Sequence, residues 1–326
     1  MKAMVLGATG HIGSAVVREL VARGHTVTAT GRRATPPVNL DGLALNYAAG
    51  DLDTPGQIDE WIAGHDTVID AAAPYPSLIA ERNHAAPHPV EYAARRARLV
   101  IDAVRRAGAR LAYVSSFVTI PDRRGGFEQW QGDLIRRIHP YFAVKQLIEN
   151  AVLEAAGAGL AAVIVNPTLC IGPWDMKPRE LCFVPRLLGG EAPASMGHVL
   201  NVIDVRDVAA AIVAALEAGR YGEPIALTGH NLSNESLYGW ICELGGVRAP
   251  RFVAPATLGV IAAWWGEVAA TAAGVRPPLP ALAAMLTMLH DSFDLSAAQR
   301  DLRVTPRPLS ATLTDTIEWY RRIGYC

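Results

Sequence analysis

Charge is scarce in this sequence, and neither sign is in excess. Only 19% of the 326 residues are charged, 30 basic against 31 acidic, for a formal net charge of −1. That balance leaves no electrostatic footprint for nucleic acid. The densest basic clusters are pairs such as Arg105-Arg106 and Arg123-Arg124, not a tail. Cysteine is nearly absent: Cys170, Cys182, Cys242 and Cys326 stand far apart, with no CxxC pair and no metal-ligand rhythm. They read as reduced thiols, so a cytoplasmic location is expected and no metal site. No signal peptide is expected either, because Met1 to Gly7 runs straight into a glycine motif that cleavage would destroy.

Apolar residues, in contrast, make up 51% of the chain. At this length they suffice for a core without disulfides, and they exclude disorder. The stretch 253–275 is almost wholly apolar and long enough to cross a bilayer. It carries Glu267, however, and Leu258, Ile261, Trp265 and Val268 recur at helical spacing. This predicts a buried or partly interfacial helix and no membrane span.

In the first half, short β-rich runs alternate with helical patterns. The alternation predicts strands at 2–6, 26–30, 43–48, 67–70, 111–115 and 161–165, and helices over 12–23, 57–63, 90–107 and 141–156. The fold class is α/β, a Rossmann doubly wound parallel sheet. After Asn166-Pro167 prolines multiply and helices dominate, at 207–216, 237–244, 258–273 and 281–289. A strand at 224–227 returns to the main sheet. The expected division is a nucleotide-binding domain over 1–173, rejoined by 199–230, and a smaller, mostly helical substrate lobe from 174–198 and 231–326.

Gly7-Ala8-Thr9-Gly10-His11-Ile12-Gly13 sets glycines three apart between the first strand and its helix. Gly7 permits a tight turn, Gly10 lets the backbone approach a pyrophosphate, and Gly13 allows close helix–strand packing. The second strand ends in Thr30-Gly31-Arg32-Arg33, without the carboxylate that bonds a ribose 2′-hydroxyl. Arg32 and Arg33 therefore favour NADP(H), unless both are merely solvated. Asp51 and Leu52, after the third strand, are placed to meet the adenine, and Asp53-Thr54-Pro55 reads as a helix start.

Tyr141 and Lys145 lie one helical turn apart on one face. An ammonium near a phenol favours its ionised form, so Tyr141 suits proton exchange with a substrate oxygen. The pair opens the helix that follows the strand ending in Ser115-Ser116. The Ser116 hydroxyl is either a donor to a reacting carbonyl or a local cap.

These segments resemble a known family. GATGHIG at 7–13, VSS at 114–116, YFAVK at 141–145 and NPTLCIGP at 166–173 are similar to the extended short-chain dehydrogenase/reductases, within the NAD-dependent epimerase/dehydratase group. The segments NVIDVRDVA at 201–209 and IEWY at 317–320 agree with it. The resemblance implies a Ser–Tyr–Lys triad at Ser116, Tyr141 and Lys145. It also places Ala71 and Ala72 along the cofactor, Pro167 and Thr168 near the nicotinamide, and Arg32 where dihydroflavonol reductases hold the 2′-phosphate. It implies dimerisation through the helices near 90–107 and 141–156. The family's usual asparagine is replaced near Ala93, and Leu200-Asn201-Val202 stands where nucleotide-sugar epimerases carry Arg-Asp-Phe.

Other signals are weaker. His84 and His88 are interrupted by Pro87, so they make no metal site, though with Pro74 and Tyr75 they could line a substrate pocket. The connection 117–139 is long enough for a substrate-covering loop. Trp174, Trp264 and Trp265 suit an apolar pocket or the core, and His198 and Asp204 read as structural. Together these readings predict an NADPH-dependent reductase of a ketone or aldehyde on an apolar or aromatic small molecule. The alternatives are a sugar epimerase or dehydratase with tightly bound NAD(P), and a non-catalytic NADP sensor.

Overall fold

The computed structural model describes residues 1–73, 89–120, 126–179, 182–192, 194–275, 277, 279–289 and 292–326. In chain order the first half consists of β1 (Lys2–Leu6), α1 (His11–Ala22), β2 (Thr26–Gly31), β3 (Asn46–Ala49), α2 (Gln57–Ile62), β4 (Thr67–Asp70), α3 (Pro89–Ala107) and β5 (Arg110–Val114). Then follow α4 (Gly126–Ile138), α5 (Pro140–Gly157), β6 (Ala162–Pro167), β7 (Leu169–Ile171), α6 (Phe183–Leu188), β8 (Ala194–Gly197), β9 (Val199–Asp204), α7 (Val205–Ala218), β10 (Pro224–Leu227) and β11 (His230–Ser233). The chain continues through α8 (Asn234–Gly245), β12 (Phe252–Pro255), α9 (Ala256–Ala272), α10 (Ala281–Leu289), α11 (Ala297–Asp301) and α12 (Leu309–Arg322).

The main sheet has seven parallel strands in the order β10-β6-β5-β4-β1-β2-β3. Both faces are covered, so alternate residues of each strand enter different cores. Ala3, Val5, Ala112 and Val163 pack under α1 and α7, whereas Met4, Leu6, Leu111 and Ile164 pack under α2, α3 and α5. The order reverses between β1 and β4, and in such sheets ligands bind beyond the strand ends at that switch point. Smaller sheets, β11-β9-β7 and β12-β8, stand beside it; of the stretch 199–230 expected to rejoin the main sheet, α7 and β10 pack with it, whereas β9 pairs with β7 and β11.

Three local expectations are corrected. Helix α2 begins at Gln57 behind Gly56, at φ +80°, and not at 53–55; Asp53 instead donates its N–H to Asp51 Oδ1 at 3.0 Å in a turn. The connection 117–139 is mostly ordered secondary structure, a 3-10 turn at Phe117–Thr119 and then α4, because residues 127–138 carry enough helix formers to fill the span. Helix α9 turns Leu258, Ile261, Trp265 and Val268 outward and buries Ala263, Glu267 and Ala270 instead. Pairing with α10 selects the small face, since alanines let the two helices approach. Among the described residues no helix is long and apolar enough to cross a membrane. Pro74, Tyr75, His84 and His88 lie outside the described residues.

Candidate active site

The switch point supplies the first half of the site. Gly7 turns the chain out of β1 at φ +75°, where a Cβ would stand 2.8 Å from the backbone of Ala71 and Ala72. A Cβ on Gly13 would fall 2.1 Å from the Gly7 carbonyl oxygen, so α1 reaches the loop only as glycine allows. Helix α1 starts at Gly10 with no side-chain cap and no carboxylate in its first turn. Its free N–H groups and that tight cradle fit the pyrophosphate of a dinucleotide.

A cleft of about 530 Å³ opens over this turn. Gly7, Thr9, Gly10, Arg32, Asp51, Leu52, Ala71 and Ala72 line it, together with Trp61, Tyr92 and Arg96. The other residues expected at the cofactor lie elsewhere. Ile12 packs on the core under α1, and Gly13 is buried behind the loop. Arg33 is exposed, its carbonyl oxygen accepting the Tyr47 hydroxyl at 3.1 Å. Pro167 ends β6 opposite Leu227, and the Thr168 hydroxyl donates to Asn201 Oδ1 at 2.7 Å.

Helix α5 supplies the second half. Pro140 opens it, and Tyr141, Lys145 and Glu149 follow at intervals of one turn, all buried. Lys145 Nζ donates to the carbonyl oxygens of Val114 at 3.1 Å and Ser115 at 3.3 Å, and lies 5.6 Å from the centre of the Tyr113 ring. Burial draws the Lys145 pKa down to about 8, against an upward pull from Asp70. Ser116 Oγ accepts the Val118 N–H at 3.5 Å, a long capping contact that leaves its proton to donate elsewhere. Tyr141 shares a buried apolar cluster with Phe117, Phe142 and the α10 residues Leu282 and Met285.

The start of α5 carries its own titration. His139 Nδ1 accepts the Tyr141 N–H at 3.2 Å, so a neutral imidazole caps the helix. Burial lowers the His139 pKa from 6.5 to about 4. Between those values the unfolded chain takes up a proton that the folded one refuses, so stability is full above about 6.5 and declines as pH falls towards about 4. Urea unfolding across that range is expected to show the decline. His139→Asn, which keeps a cap acceptor but does not titrate, should flatten it; an equal slope in both proteins would remove His139 as the cause.

A second cavity, of about 220 Å³, lies between His11 and helices α6, α8, α10 and α12. Its walls are apolar, with Leu200, Leu237, Phe183 and Leu286, and its floor is polar, with Asp175, Lys177 and Tyr320. His11 Nε2 is buried there without a hydrogen-bond partner. Burial pushes the Asp175 carboxyl up, but Lys177, 3.3 Å away, and His11 hold its pKa at about 2. From α12, Trp319 Nε1 donates to the Asp175 carbonyl oxygen at 2.9 Å and the Tyr320 hydroxyl to its carboxylate at 3.2 Å. Trp174, Trp264 and Trp265 do not line this cavity.

Residues 3–227 match the model of the NAD dependent epimerase/dehydratase family. The chain belongs to that family. It is 30% identical to a Synechocystis protein named "Putative dihydroflavonol 4-reductase", over 98% of this chain and 95% of that one. It is 29% identical to sterol demethylase protein B of Methylococcus capsulatus, over 99% of each. The structure of a Pseudomonas aeruginosa nucleoside-diphosphate-sugar epimerase superposes with a TM-score of 0.71 at 26% identity, covering 100% of this chain and 99% of that one. This member of the epimerase/dehydratase family is thus an enzyme of the NAD(P)-dependent oxidoreductase and epimerase type.

Two features of this epimerase/dehydratase-family chain escaped the sequence reading. Glu149 Oε2 accepts hydrogen bonds from the Ser115 hydroxyl, from Thr119 Oγ1 at 2.7 Å and from Asn166 Nδ2 at 2.7 Å, tying α5 to the segments on either side of Ser116. Its spacing, four after Lys145, was the available signal. Arg96, on the apolar stripe of α3, clasps Asp70 at the end of β4 at 2.7 and 3.1 Å, fully buried. Burial pulls the Arg96 pKa down, and Asp70 more than offsets it, leaving it raised. An arginine within an apolar helical stripe (Ala93, Arg96, Ala97, Val100) was its signal.

Proposed function

We propose that this chain is an NADPH-dependent reductase that converts a ketone or aldehyde on an apolar small molecule into an alcohol. The observation that carries this reading is α5: Tyr141 and Lys145 one turn apart, with the Lys145 ammonium bonded to the carbonyls that precede Ser116. NADP(H) in the 530 Å³ cleft, held by Gly7, Gly10, Arg32 and Ala71, would supply the hydride. The Ser116 hydroxyl donates to the substrate carbonyl oxygen and Tyr141 delivers the proton. Lys145 favours the ionised phenol and, freed from one carbonyl, can bond the cofactor ribose.

Arg32 lines the cleft and no carboxylate ends β2, which favours a 2′-phosphate. Arg32→Asp is expected to lower the ratio of kcat/KM for NADPH over NADH by about tenfold or more, the worth of one charged hydrogen bond. An unchanged ratio would take Arg32 out of the site.

The apolar walls of the second cavity support an apolar substrate, as does the relative named for sterol demethylation. A sugar epimerase or dehydratase with tightly held NAD(P) is the second reading, favoured by the Pseudomonas neighbour. Its nucleotide diphosphate needs cations, however, and Lys177, the ammonium at the cavity, is already paired with Asp175. Initial rates of NADPH oxidation against sugars, flavonoids, steroids and simple aldehydes separate the two. Turnover of a steroid or flavonoid supports the reductase; oxidised cofactor retained through purification, with no NADPH consumed, overturns it.

A further inference from the structure

Helix α9 is amphipathic the wrong way round for a helix facing water. Its one ionisable residue, Glu267, is buried, with the carboxylate accepting the Ala281 N–H at 2.7 Å. Its large apolar side chains point out: Trp265 is 66% exposed and Leu258 59%, with Ile261 and Val268 beside them. Phe252, 73% exposed, and Val253 extend the face onto β12. A soluble surface helix places these groups in the reverse order, and contiguous exposed apolar patches mark an interaction site.

We propose that this face seats on an anionic lipid surface, with α9 lying in the plane of the bilayer interface. Two observations select lipid as the occupant. The first is charge. Between Glu243 and Asp291 the sequence has Arg248, Arg251 and Arg276 but only Glu267 as an acid, and Glu267 is turned inward. Arg248 and Arg251 are exposed, enter no ion pair among the described residues, and lie four and one residues before Phe252. Tryptophan and aliphatic side chains edged by arginine are the composition of an interfacial anchor, and the arginines attract anionic headgroups.

The second is continuity with the second cavity. Leu279, exposed beyond the end of α9, also lines that cavity. Met196, another lining residue, lies under Gly259 of α9, and Ala283, Leu286 and Thr287 of α10 form the adjoining wall. The α9–α10 pair is thus a partition with lipid-like chemistry outside and an apolar cavity inside. A bilayer on the outer face would deliver an apolar ligand beside Leu279. This consequence rests on the reductase reading; the docking itself does not.

Flotation with vesicles tests the docking without reference to activity. The full chain is mixed with vesicles of pure phosphatidylcholine, or of equimolar phosphatidylcholine and phosphatidylglycerol. It is expected to float with the anionic vesicles and weakly or not at all with the neutral ones. Arg248→Glu with Arg251→Glu should lower the partition coefficient by about tenfold or more. Leu258→Glu with Trp265→Glu should abolish flotation at an unchanged unfolding midpoint. Leu99→Glu, at an exposed leucine on α3 outside the patch, should leave flotation intact. Absence of flotation by the wild type overturns the proposal. So does a wild-type dimer in solution that Leu258→Glu with Trp265→Glu converts to monomer, because a second copy would then be what covers the face.

Discussion

Tyr141→Phe is expected to lower kcat for carbonyl reduction by about 10²–10⁴, the usual worth of a positioned general acid, while NADPH binding stays near wild type. The substitution removes one oxygen and leaves the packing against Phe142 and α10 in place. Folding and the cofactor cleft should therefore be untouched, and the loss should fall on chemistry alone. Initial rates together with NADPH fluorescence titration read the two effects separately; retained turnover would sink the assignment of Tyr141. The pH profile adds a second reading. Burial sets the Lys145 pKa at about 8, so its ammonium is lost as pH rises through that value. The wild-type kcat/KM should fall on that alkaline limb, and Lys145→Met should show a low rate without it.

The second large effect concerns stability. Arg96→Met leaves the Asp70 carboxylate buried, with the Ala72 N–H, at 3.0 Å, as its one remaining donor among the described residues. Breaking one partner of a buried pair costs about 3–5 kcal/mol, far more than the intact pair contributes over an apolar substitute. Urea unfolding should show that loss for Arg96→Met. The double substitution Arg96→Met with Asp70→Asn should recover much of it, because the stranded charge is gone. A loss of under about 1 kcal/mol in the single variant would mean that water reaches Asp70 and that the pair is a surface one. Arg96 also lines the cleft over the glycine turn, so weaker NADPH binding is expected to accompany the loss.

The parallel sheet was legible because its strands are short and mostly apolar, and β1, β3 and β4 each lead into a helical pattern. The glycine loop was legible for a related reason. Gly7 and Gly13 stand where a Cβ would meet backbone, a constraint that leaves its mark as glycine at fixed spacing. The Tyr141–Lys145 pair was visible as helical spacing, and Glu149 would have been visible by the same rule carried one turn further. Arg96 was harder to see, because its partner, Asp70, is 26 residues away and only the strand-to-helix crossover joins them. The orientation of α9 was not legible. Large and small apolar residues both recur at helical spacing along it, and which stripe turns inward depends on α10, through the contact of Glu267 with Ala281. Periodicity gives a helix its faces but not their direction when both are apolar.

The two cavities draw on different lengths of the chain. Among the described residues the cleft over the glycine turn is lined by positions 7 to 96. The floor of the second cavity is held by Trp319 and Tyr320, which close on Asp175 across 144 and 145 residues of chain. Without α12 the floor of that second cavity would lack both of these donors to Asp175. A chain cut before residue 319 would keep every described residue that lines the first cleft and lose the floor of the second.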